Sequence, residues 1–337
     1  MAPGKGLLAM DESVDTCNRR LAENGIAQTQ ESRRRYRELL VTAPGLSGFI
    51  SGAILFEETL HQDTRDGEPF ADVLRSTGIQ VGIKVDGGAK ALAGCPGERV
   101  TEGLDGLRER LARYAARGAR FAKWRAVLAI GDGLPSRACI DANAHALARY
   151  AALCQEAQVV PVVEPEVLME GCHTLARCGE VTADVLHRVF MQLHAQGVLL
   201  EGMLLKPNMV LPGLSCAIPA SAEEVADATL ACLLRAVPAA VAGVAFLSGG
   251  QPAGLATARL NAMHIRAAAS GPRGPGLPWP LTFSFGRALQ QPALRLWGGQ
   301  DANRDVAQRA LLHRARCNAA AAVGDWRSAM EAEGLAA

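Results

Sequence analysis

The sequence predicts an α/β protein, a (β/α)8 TIM barrel that forms a single domain over residues 1–337. Three observations lead to this prediction. Eight short apolar segments alternate along the chain with amphipathic segments of helical period. Such alternation is typical of a parallel sheet, and eight units are the number that closes a barrel. No Gly-x-Gly-x-x-Gly motif follows any strand segment, which disfavours a doubly wound open sheet.

The predicted strands are short runs of mostly apolar residues. In chain order they are Leu7–Met10, Phe49–Phe56, Ile79–Val85, Ala122–Leu128, Val159–Glu164, Leu199–Lys206, Val241–Leu247 and Pro280–Phe285. Amphipathic patterns predict helices between them, among them Leu104–Arg117, Ala142–Gln155, Thr182–Gln196 and Glu223–Arg235. After a Gly/Pro-rich loop over Ala269–Pro280, a closing helix over Asn303–Val323 is predicted. This C-terminal helix and a short alanine-rich tail, from about residue 301, complete the domain.

The composition is typical of a cytoplasmic protein with a sizeable core, because 49% of the residues are hydrophobic. The formal net charge of +1 provides no overall field for nucleic acid or an anionic membrane. The most apolar region, Ala231–Leu247, is interrupted by Arg235 and Pro238, so it is too short to span a bilayer. The N-terminal segment also lacks the apolar core of a signal peptide. We therefore expect neither a nucleic-acid nor a membrane partner.

Cysteine usage indicates neither a disulfide framework nor a zinc ribbon, since the nine cysteines include no Cys-x-x-Cys pair. Cys172, His173 and Cys178 resemble metal ligands in type. Their isolation in the sequence instead favours ordinary core or surface positions. We expect no metal and no other cofactor.

Lysine is rare in this chain. Of 35 basic residues, only Lys5, Lys84, Lys90, Lys123 and Lys206 are lysines. An amine can lose its proton and act as a nucleophile, whereas a guanidinium cannot. The few lysines therefore favour positions where an amine is required, although codon usage and chance can also leave a lysine in place.

Polar residues follow almost every predicted strand, at the end where barrels of this kind carry their chemistry. They are Asp11, Lys84 with Asp86, Lys123 with Arg125, Glu164 with Glu166, Lys206, Ser248-Gly249-Gly250, and Ser284 with Arg287. Side chains two residues apart on a strand share a face, so each charged pair points one way. Any one of these residues could be a solvated charge, a helix cap or a turn. Their concentration at one end of the strands predicts a site.

The residue types at this end of the strands indicate an imine chemistry. Desolvation and a neighbouring ammonium both favour the neutral form of an amine. Lys206, beside Lys123, is thus predicted to attack a ketone, and the resulting protonated imine would accept the electrons of a breaking carbon–carbon bond. Glu164 and Glu166 are predicted to transfer protons. The turns after the last two strands are predicted to bind one phosphate through backbone N–H groups, and Lys84 with Arg125 a second.

Seven stretches carry a resemblance to a known family. They are LAMDES, GIKVDGG, FAKWR, VEPEVL, LLKPNMV, FLSGGQ and TFSFGRALQ. Together they closely resemble class I fructose-bisphosphate aldolase, and the similarity extends from about Gly4 to Cys317.

The resemblance implies a role for each matching residue. Lys206 of LLKPN would form the Schiff base, and Glu164 of VEPE would be the main general acid/base, with Glu166 and Lys123 positioning it and the substrate. Asp11 of LAMDES would contact the hydroxyl at the bond being broken. The ketone-side phosphate would be bound by Ser248, Gly249, Gly250, Ser284 and Arg287. The aldehyde-side phosphate would be bound by Ser13, Thr16, Arg20, Lys84 and Arg125.

The implied activity is reversible cleavage of fructose 1,6-bisphosphate to dihydroxyacetone phosphate and glyceraldehyde 3-phosphate, without a metal, by a cytoplasmic homotetramer in glycolysis, gluconeogenesis or carbon fixation. Sedoheptulose 1,7-bisphosphate or fructose 1-phosphate could share the site. A metal-dependent aldolase is disfavoured because the seven histidines do not fall at strand ends. Transaldolase chemistry is disfavoured because cations for two phosphates are present. A non-catalytic scaffold is disfavoured because Lys206 and Glu164 are present.

The sequence departs from the family pattern in several places. Thr16 stands where a serine is expected, and its hydroxyl can still donate. The sequence ends in EAEGLAA, whereas animal members end in a tyrosine that assists protonation of the enamine, so that step is expected to use another group or to run more slowly. Members also carry about one helix before the GKG segment, and the loop Ala269–Pro280 is longer than expected.

Overall fold

A computed structural model of the protein describes residues 2–269 and 276–333, and it confirms the predicted barrel. Eight strands form a closed sheet in the order β1-β10-β9-β8-β7-β6-β3-β2, and all neighbouring pairs are parallel. β4 and β5 form a separate antiparallel hairpin. The strands are β1 Gly6–Met10, β2 Ile50–Leu55, β3 Gln80–Lys84, β4 Ala89–Ala91, β5 Arg99–Thr101, β6 Ala119–Leu128, β7 Val160–Val167, β8 Leu204–Leu205, β9 Val244–Phe246 and β10 Leu281–Phe285.

The α-helices of the described residues include those predicted between the strands. They are α1 Val14–Ala22, α2 Gln30–Val41, α3 Glu57–Leu60, α4 Phe70–Ser76, α5 Leu107–Ala116, α6 Arg137–Glu156, α7 Leu175–Ala195, α8 Ala222–Ala236, α9 Ala253–Ala269, α10 Arg287–Trp297, α11 Arg304–Ala321 and α12 Met330–Glu333. α6 and α7 begin earlier than their apolar periodicity indicated, because Ser136 and Thr174 cap their first turns by accepting backbone N–H groups. The predicted closing helix is present as α11. Half of the predicted loop (residues 270–275) and the alanine-rich end of the tail lie outside the described residues.

One predicted strand is much shorter than its sequence indicated. Of the apolar run Leu199–Lys206, only Leu204 and Leu205 pair in the sheet, and Leu200–Gly202 form a 3-10 turn. The side chain of Gln155 explains the difference. Its amide donates to Leu199 O (2.7 Å) and accepts from Leu199 N (2.9 Å), so the backbone groups of Leu199 bond to this side chain rather than to a neighbouring strand.

The inside of the barrel is filled by a small apolar layer. It consists of Leu7, Ala9, Ile54, Phe121, Val162 and Ala245, with Leu204 packed against it. The Phe121 ring needs glycines on the neighbouring strands: a Cβ at Gly82 would lie 2.2 Å from it, and one at Gly52 would lie 3.0 Å from it. Glycine is therefore required at both positions, because a larger side chain would overlap the Phe121 ring. The packed layer forms the floor of the barrel below the C-terminal ends of the strands.

A second, larger core lies between the sheet and the helices. Trp124 points outward from β6 and stacks on Tyr150 of α6, with the ring centroids 5.5 Å apart. The Tyr150 hydroxyl donates to Ala122 O (2.6 Å) and accepts from Val162 N (3.0 Å), which ties α6 to two strands. Because Trp124 faces the helices, its neighbours Lys123 and Arg125 face the interior. No helix among the described residues is long and apolar enough to cross a membrane.

Candidate active site

One cavity of about 900 Å³ opens at the C-terminal ends of the barrel strands, and all fifteen residues predicted for the site line it. They are Asp11, Ser13, Thr16, Arg20, Lys84, Lys123, Arg125, Glu164, Glu166, Lys206, Ser248, Gly249, Gly250, Ser284 and Arg287. The barrel brings them together because parallel strands all end at the same mouth. Their placement agrees with the sequence analysis, whereas their individual roles remain a prediction.

The carboxylate of Glu164 lies between two lysines at the floor of this cavity. Its Oε1 is 3.1 Å from Lys206 Nζ, and its Oε2 is 3.1 Å from Lys123 Nζ. All three side chains are only 4% exposed. A carboxylate at this distance can take a proton from an amine or return one, so Glu164 is placed for proton transfer at Lys206.

Asp11, which directly follows β1, completes the group. Its Oδ2 is 2.7 Å from Lys123 Nζ. Burial opposes the charge on Lys123, but the carboxylates of Asp11 and Glu164 outweigh it and raise the pKa of Lys123 well above 10.5. Burial likewise opposes the charge on Asp11, but Lys123 and Lys206 outweigh it and hold the pKa of that carboxyl well below 3.8. In the free protein, Lys123 is thus a cation and Asp11 an anion near neutral pH.

The other predicted carboxylate, Glu166, contacts an arginine rather than a lysine. Its Oε2 is 2.5 Å from Nε of Arg125, whose side chain is 44% exposed at the mouth. Lys84 is engaged in a similar way, with its Nζ 2.6 Å from an oxygen of Asp86. Both cations therefore face the cavity with an internal partner, and an incoming anion would share or displace that partner.

The turn after β9 exposes backbone groups to the cavity. Gly249 and Gly250 have positive φ angles of 56° and 89°, and a Cβ on Gly250 would lie 2.9 Å from Arg287. Arg287 Nη2 donates to Gly250 O (2.7 Å), which ties the turn to the start of α10. The Ser284 hydroxyl is buried and has no hydrogen-bond partner. Such a hydroxyl, beside a glycine turn and a helix N-terminus, is suited to a phosphate oxygen.

The start of α1, which follows β1, forms another part of the cavity wall. Ser13 caps this helix by accepting from Thr16 N (3.4 Å), and its hydroxyl donates to the Thr16 hydroxyl (3.2 Å). Arg20, one turn later, forms an ion pair with Glu12. The Asp-Glu-Ser segment therefore starts a helix, as one interpretation of the sequence held, and also places two hydroxyls at an N-terminus that favours anions.

Two supporting residues were missed by the sequence analysis. Asn208 is buried, and its side chain accepts from Val167 N (2.9 Å) and donates to Thr182 (3.2 Å), which fixes the ends of β7 and β8 relative to each other. Glu12 accepts from Arg37 (2.5 Å) as well as from Arg20 and Gln290. Their positions in the sequence could have indicated them. Asn208 lies two residues after Lys206 in LLKPNMV, and Glu12 directly follows Asp11 in LAMDES.

The structure also bears on metal ligation. None of the nine cysteines, which all lie within the described residues, forms a disulfide; Cys172 is exposed, whereas His173 and Cys178 are buried. Within residues 2–269 and 276–333, three metal-ligating side chains come together only at His313, Cys317 and Glu331. The Glu331 carboxylate there is already bound by Arg314 and by Trp326 Nε1 (3.2 Å), so a cation would compete with a guanidinium. This group lies outside the cavity lining.

Comparison with known proteins agrees with this geometry. Residues 1–336 match the fructose-bisphosphate aldolase class-I family. A probable class 1 fructose-bisphosphate aldolase of Xanthomonas axonopodis is 55% identical over 97% of this chain and 96% of its own length, and the Dictyostelium discoideum fructose-bisphosphate aldolase is 50% identical over 97% and 90%. "Fructose-bisphosphate aldolase 6, cytosolic" of Arabidopsis thaliana is 50% identical over 96% and 88%.

A solved structure shares the fold over nearly the whole chain. The Plasmodium falciparum fructose-bisphosphate aldolase, in complex with TRAP and a small-molecule inhibitor, superimposes with a TM-score of 0.93 at 46% identity, covering 97% of this chain and 92% of that one. The match is to class I, so the metal-dependent and transaldolase alternatives are set aside. This chain belongs to the class I fructose-bisphosphate aldolases, lyases that reversibly cleave fructose 1,6-bisphosphate to dihydroxyacetone phosphate and glyceraldehyde 3-phosphate.

Proposed function

We propose that Lys206 forms the Schiff base with the ketone carbon of the substrate and that Glu164 moves the protons of this step. The observation that carries the proposal is the position of the Glu164 carboxylate, 3.1 Å from both Lys206 Nζ and Lys123 Nζ. Glu164 takes a proton from Lys206, and the deprotonated amine attacks the ketone to give a carbinolamine. Glu164 then protonates the departing hydroxyl, water leaves, and the protonated imine remains.

Asp11 and Lys123 serve the cleavage step. The Asp11 carboxylate accepts the proton of the substrate's C4 hydroxyl, the C3–C4 bond breaks, and its electron pair moves into the imine to give an enamine. The aldehyde product leaves. Lys123, 2.7 Å from Asp11, holds this anion in place and stays protonated itself. Protonation of the enamine and hydrolysis of the imine then release the ketone product.

Two groups of cavity residues are proposed to hold the two phosphates of the substrate. On the ketone side, the Ser248-Gly249-Gly250 turn, Ser284 and Arg287 offer backbone N–H groups, an unpartnered hydroxyl and a guanidinium. The aldehyde-side group lies toward α1 and consists of Ser13, Thr16, Arg20, Lys84 and Arg125. Glu166 orients Arg125 rather than contacting Lys206. Holding both ends of the sugar would place its ketone over Lys206.

Trapping with borohydride tests the proposal directly. The purified protein is incubated with fructose 1,6-bisphosphate, with and without EDTA, then reduced, digested and analysed by mass spectrometry. We expect cleavage that survives EDTA and an adduct on Lys206. Lys206→Arg, which keeps the charge and approximate length but provides no free amine, should lose both the adduct and the activity. An adduct on Lys123, or cleavage abolished by EDTA, would contradict the proposal.

The assembly and location of the protein are proposed from the family resemblance. We infer a homotetramer in the cytoplasm; an Arabidopsis relative is named as cytosolic, which supports the location. Size-exclusion chromatography with light scattering tests the assembly, and a mass near that of one 35.5 kDa chain would contradict it.

A further inference from the structure

Four arginines are buried in the described part of the chain, and one of them differs from the others. Three pair with carboxylates: Arg33 with Glu58 (2.6 Å), Arg37 with Glu12 (2.5 Å) and Arg314 with Glu331. The fourth, Arg259 on α9, is 6% exposed and has no carboxylate partner among the described residues. A buried cation without an anion is costly, so its position requires an explanation.

The hydrogen-bond partner of Arg259 is a neutral side chain, that of Gln251. Its Nη1 donates to Gln251 Oε1 (2.7 Å), and its Nε has no partner. Burial lowers the pKa of Arg259, and no nearby anion opposes that effect. A guanidinium nevertheless keeps its proton in proteins. The free protein thus holds an uncompensated positive charge behind Gln251.

Gln251 connects this charge to the turn after β9. It directly follows Gly250, it is 3% exposed, and its N–H donates to Ser248 O (3.0 Å), which closes the turn. Its side-chain amide also contacts Met209 Sδ (3.7 Å). Arg287 contacts the same turn through Gly250 O. Two arginines therefore act on one turn: Arg287 lines the cavity, and Arg259 lies behind Gln251.

We propose that Arg259 is a positioning residue for the ketone-side phosphate: it fixes the Ser248–Gly250 turn through Gln251, and the substrate's phosphate is the anion that compensates its charge. This inference rests on the proposed role of the turn in phosphate binding. The phosphate and Arg259 attract each other across the turn, and because Arg259 is buried this attraction is screened less than one between two solvent-exposed charges. Arg259 does not touch the substrate and acts through Gln251.

The proposal has a signature that a purely structural role would not give. Arg259→Met keeps the length and removes the charge. Without phosphate, the melting temperature of this variant should equal or exceed that of the wild type, because the removal of an uncompensated buried charge offsets the lost hydrogen bond to Gln251. The rise in melting temperature caused by inorganic phosphate should shrink. KM for fructose 1,6-bisphosphate should rise roughly tenfold, as for loss of a partly screened charge interaction, with little change in kcat.

Arg314→Met is the matched control, because Arg314 is equally buried but paired with Glu331. This variant should lower the melting temperature and leave KM unchanged. Arg259→Lys keeps the charge, so its KM should stay close to the wild-type value and not rise as in Arg259→Met. If Arg259→Met instead lowers the melting temperature as Arg314→Met does and leaves KM unchanged, Arg259 is structural and the inference is wrong.

Arg287→Met separates this inference from the proposed function. If it leaves KM and the phosphate-induced rise in melting temperature unchanged, the phosphate site itself is misplaced. If it weakens both while Arg259→Met changes neither, the site stands and only the role of Arg259 is refuted.

Discussion

Replacing Glu164 by glutamine removes the carboxylate that contacts both lysines at the cavity floor, with almost no change in volume. In the wild type, its two oxygens lie 3.1 Å from Lys206 Nζ and 3.1 Å from Lys123 Nζ. A glutamine amide cannot take up the proton that Lys206 must lose, and its NH2 group would face one of the two amines. Lys123 keeps Asp11 as its partner, so we expect the variant to fold.

The size of the effect follows from what Glu164 does. A positioned general acid/base contributes about 10²–10⁴ to a rate, or roughly 3–5 kcal/mol of barrier. The phosphate-binding residues are untouched, so KM should change only slightly. Glu166→Gln is the matched control: it breaks a pair with Arg125, whose side chain is 44% exposed. A partly exposed pair contributes up to about 1 kcal/mol, so its kcat should fall about fivefold or less.

Steady-state cleavage of fructose 1,6-bisphosphate by both variants, at saturating substrate, measures kcat. The rate at which the borohydride-trapped adduct appears on Lys206 measures imine formation separately. Glu164→Gln should slow both. The reasoning is refuted if kcat of Glu164→Gln stays within tenfold of the wild type, or if Glu166→Gln loses as much as Glu164→Gln.

Two further predictions concern stability. The carboxyls of Asp11 and Glu12 have pKa values below their usual 3.8 and 4.5, so their contribution is complete above those values and is lost as the pH falls below about 4; thermal melts from pH 7 to pH 3 should show this loss, with a smaller decline for Asp11→Asn. Gly82→Ala should cost about 1–3 kcal/mol because its Cβ would lie 2.2 Å from the Phe121 ring, whereas Gly48→Ala, with open space around it, should be neutral or slightly stabilising. Denaturant unfolding compares the two alanine variants. Equal midpoints would contradict the prediction, because they would show that the Phe121 ring can move aside at little cost.

The sequence predicted the barrel and the site residues for one physical reason. Parallel strands must end at the same mouth, so Lys206, Glu164 and Asp11, each at or just after the end of a predicted strand, had to converge, although β7 continues past Glu164 to Val167. Only the approximate positions of the strand ends decide this convergence, so errors of a few residues at strand starts do not change it. The shortened strand before Lys206 is such an error, since Gln155 changed its start and not its end.

The pairing within the site could not be predicted in the same way. Both glutamates of VEPE face the cavity, yet only Glu164 reaches the lysines, while Glu166 lies one layer higher and contacts Arg125. Layer heights depend on the stagger between strands, which sequence patterns do not reveal. The unpaired charge of Arg259 was hidden for a similar reason, because an amphipathic helix pattern does not show which buried arginine lacks an anion.

The closure of the barrel has a consequence for how the protein is made. One edge of β1 pairs only with β10, where Leu7 meets Ser284. At about 5–20 residues per second, roughly 280 residues of synthesis separate these partners by about 14–55 s. Throughout that interval the free edge of β1 can pair with another chain. The cavity beside Asp11 is also incomplete until β10 and Arg287 are in place. A nascent chain should therefore acquire activity in one step, after its last strand leaves the ribosome.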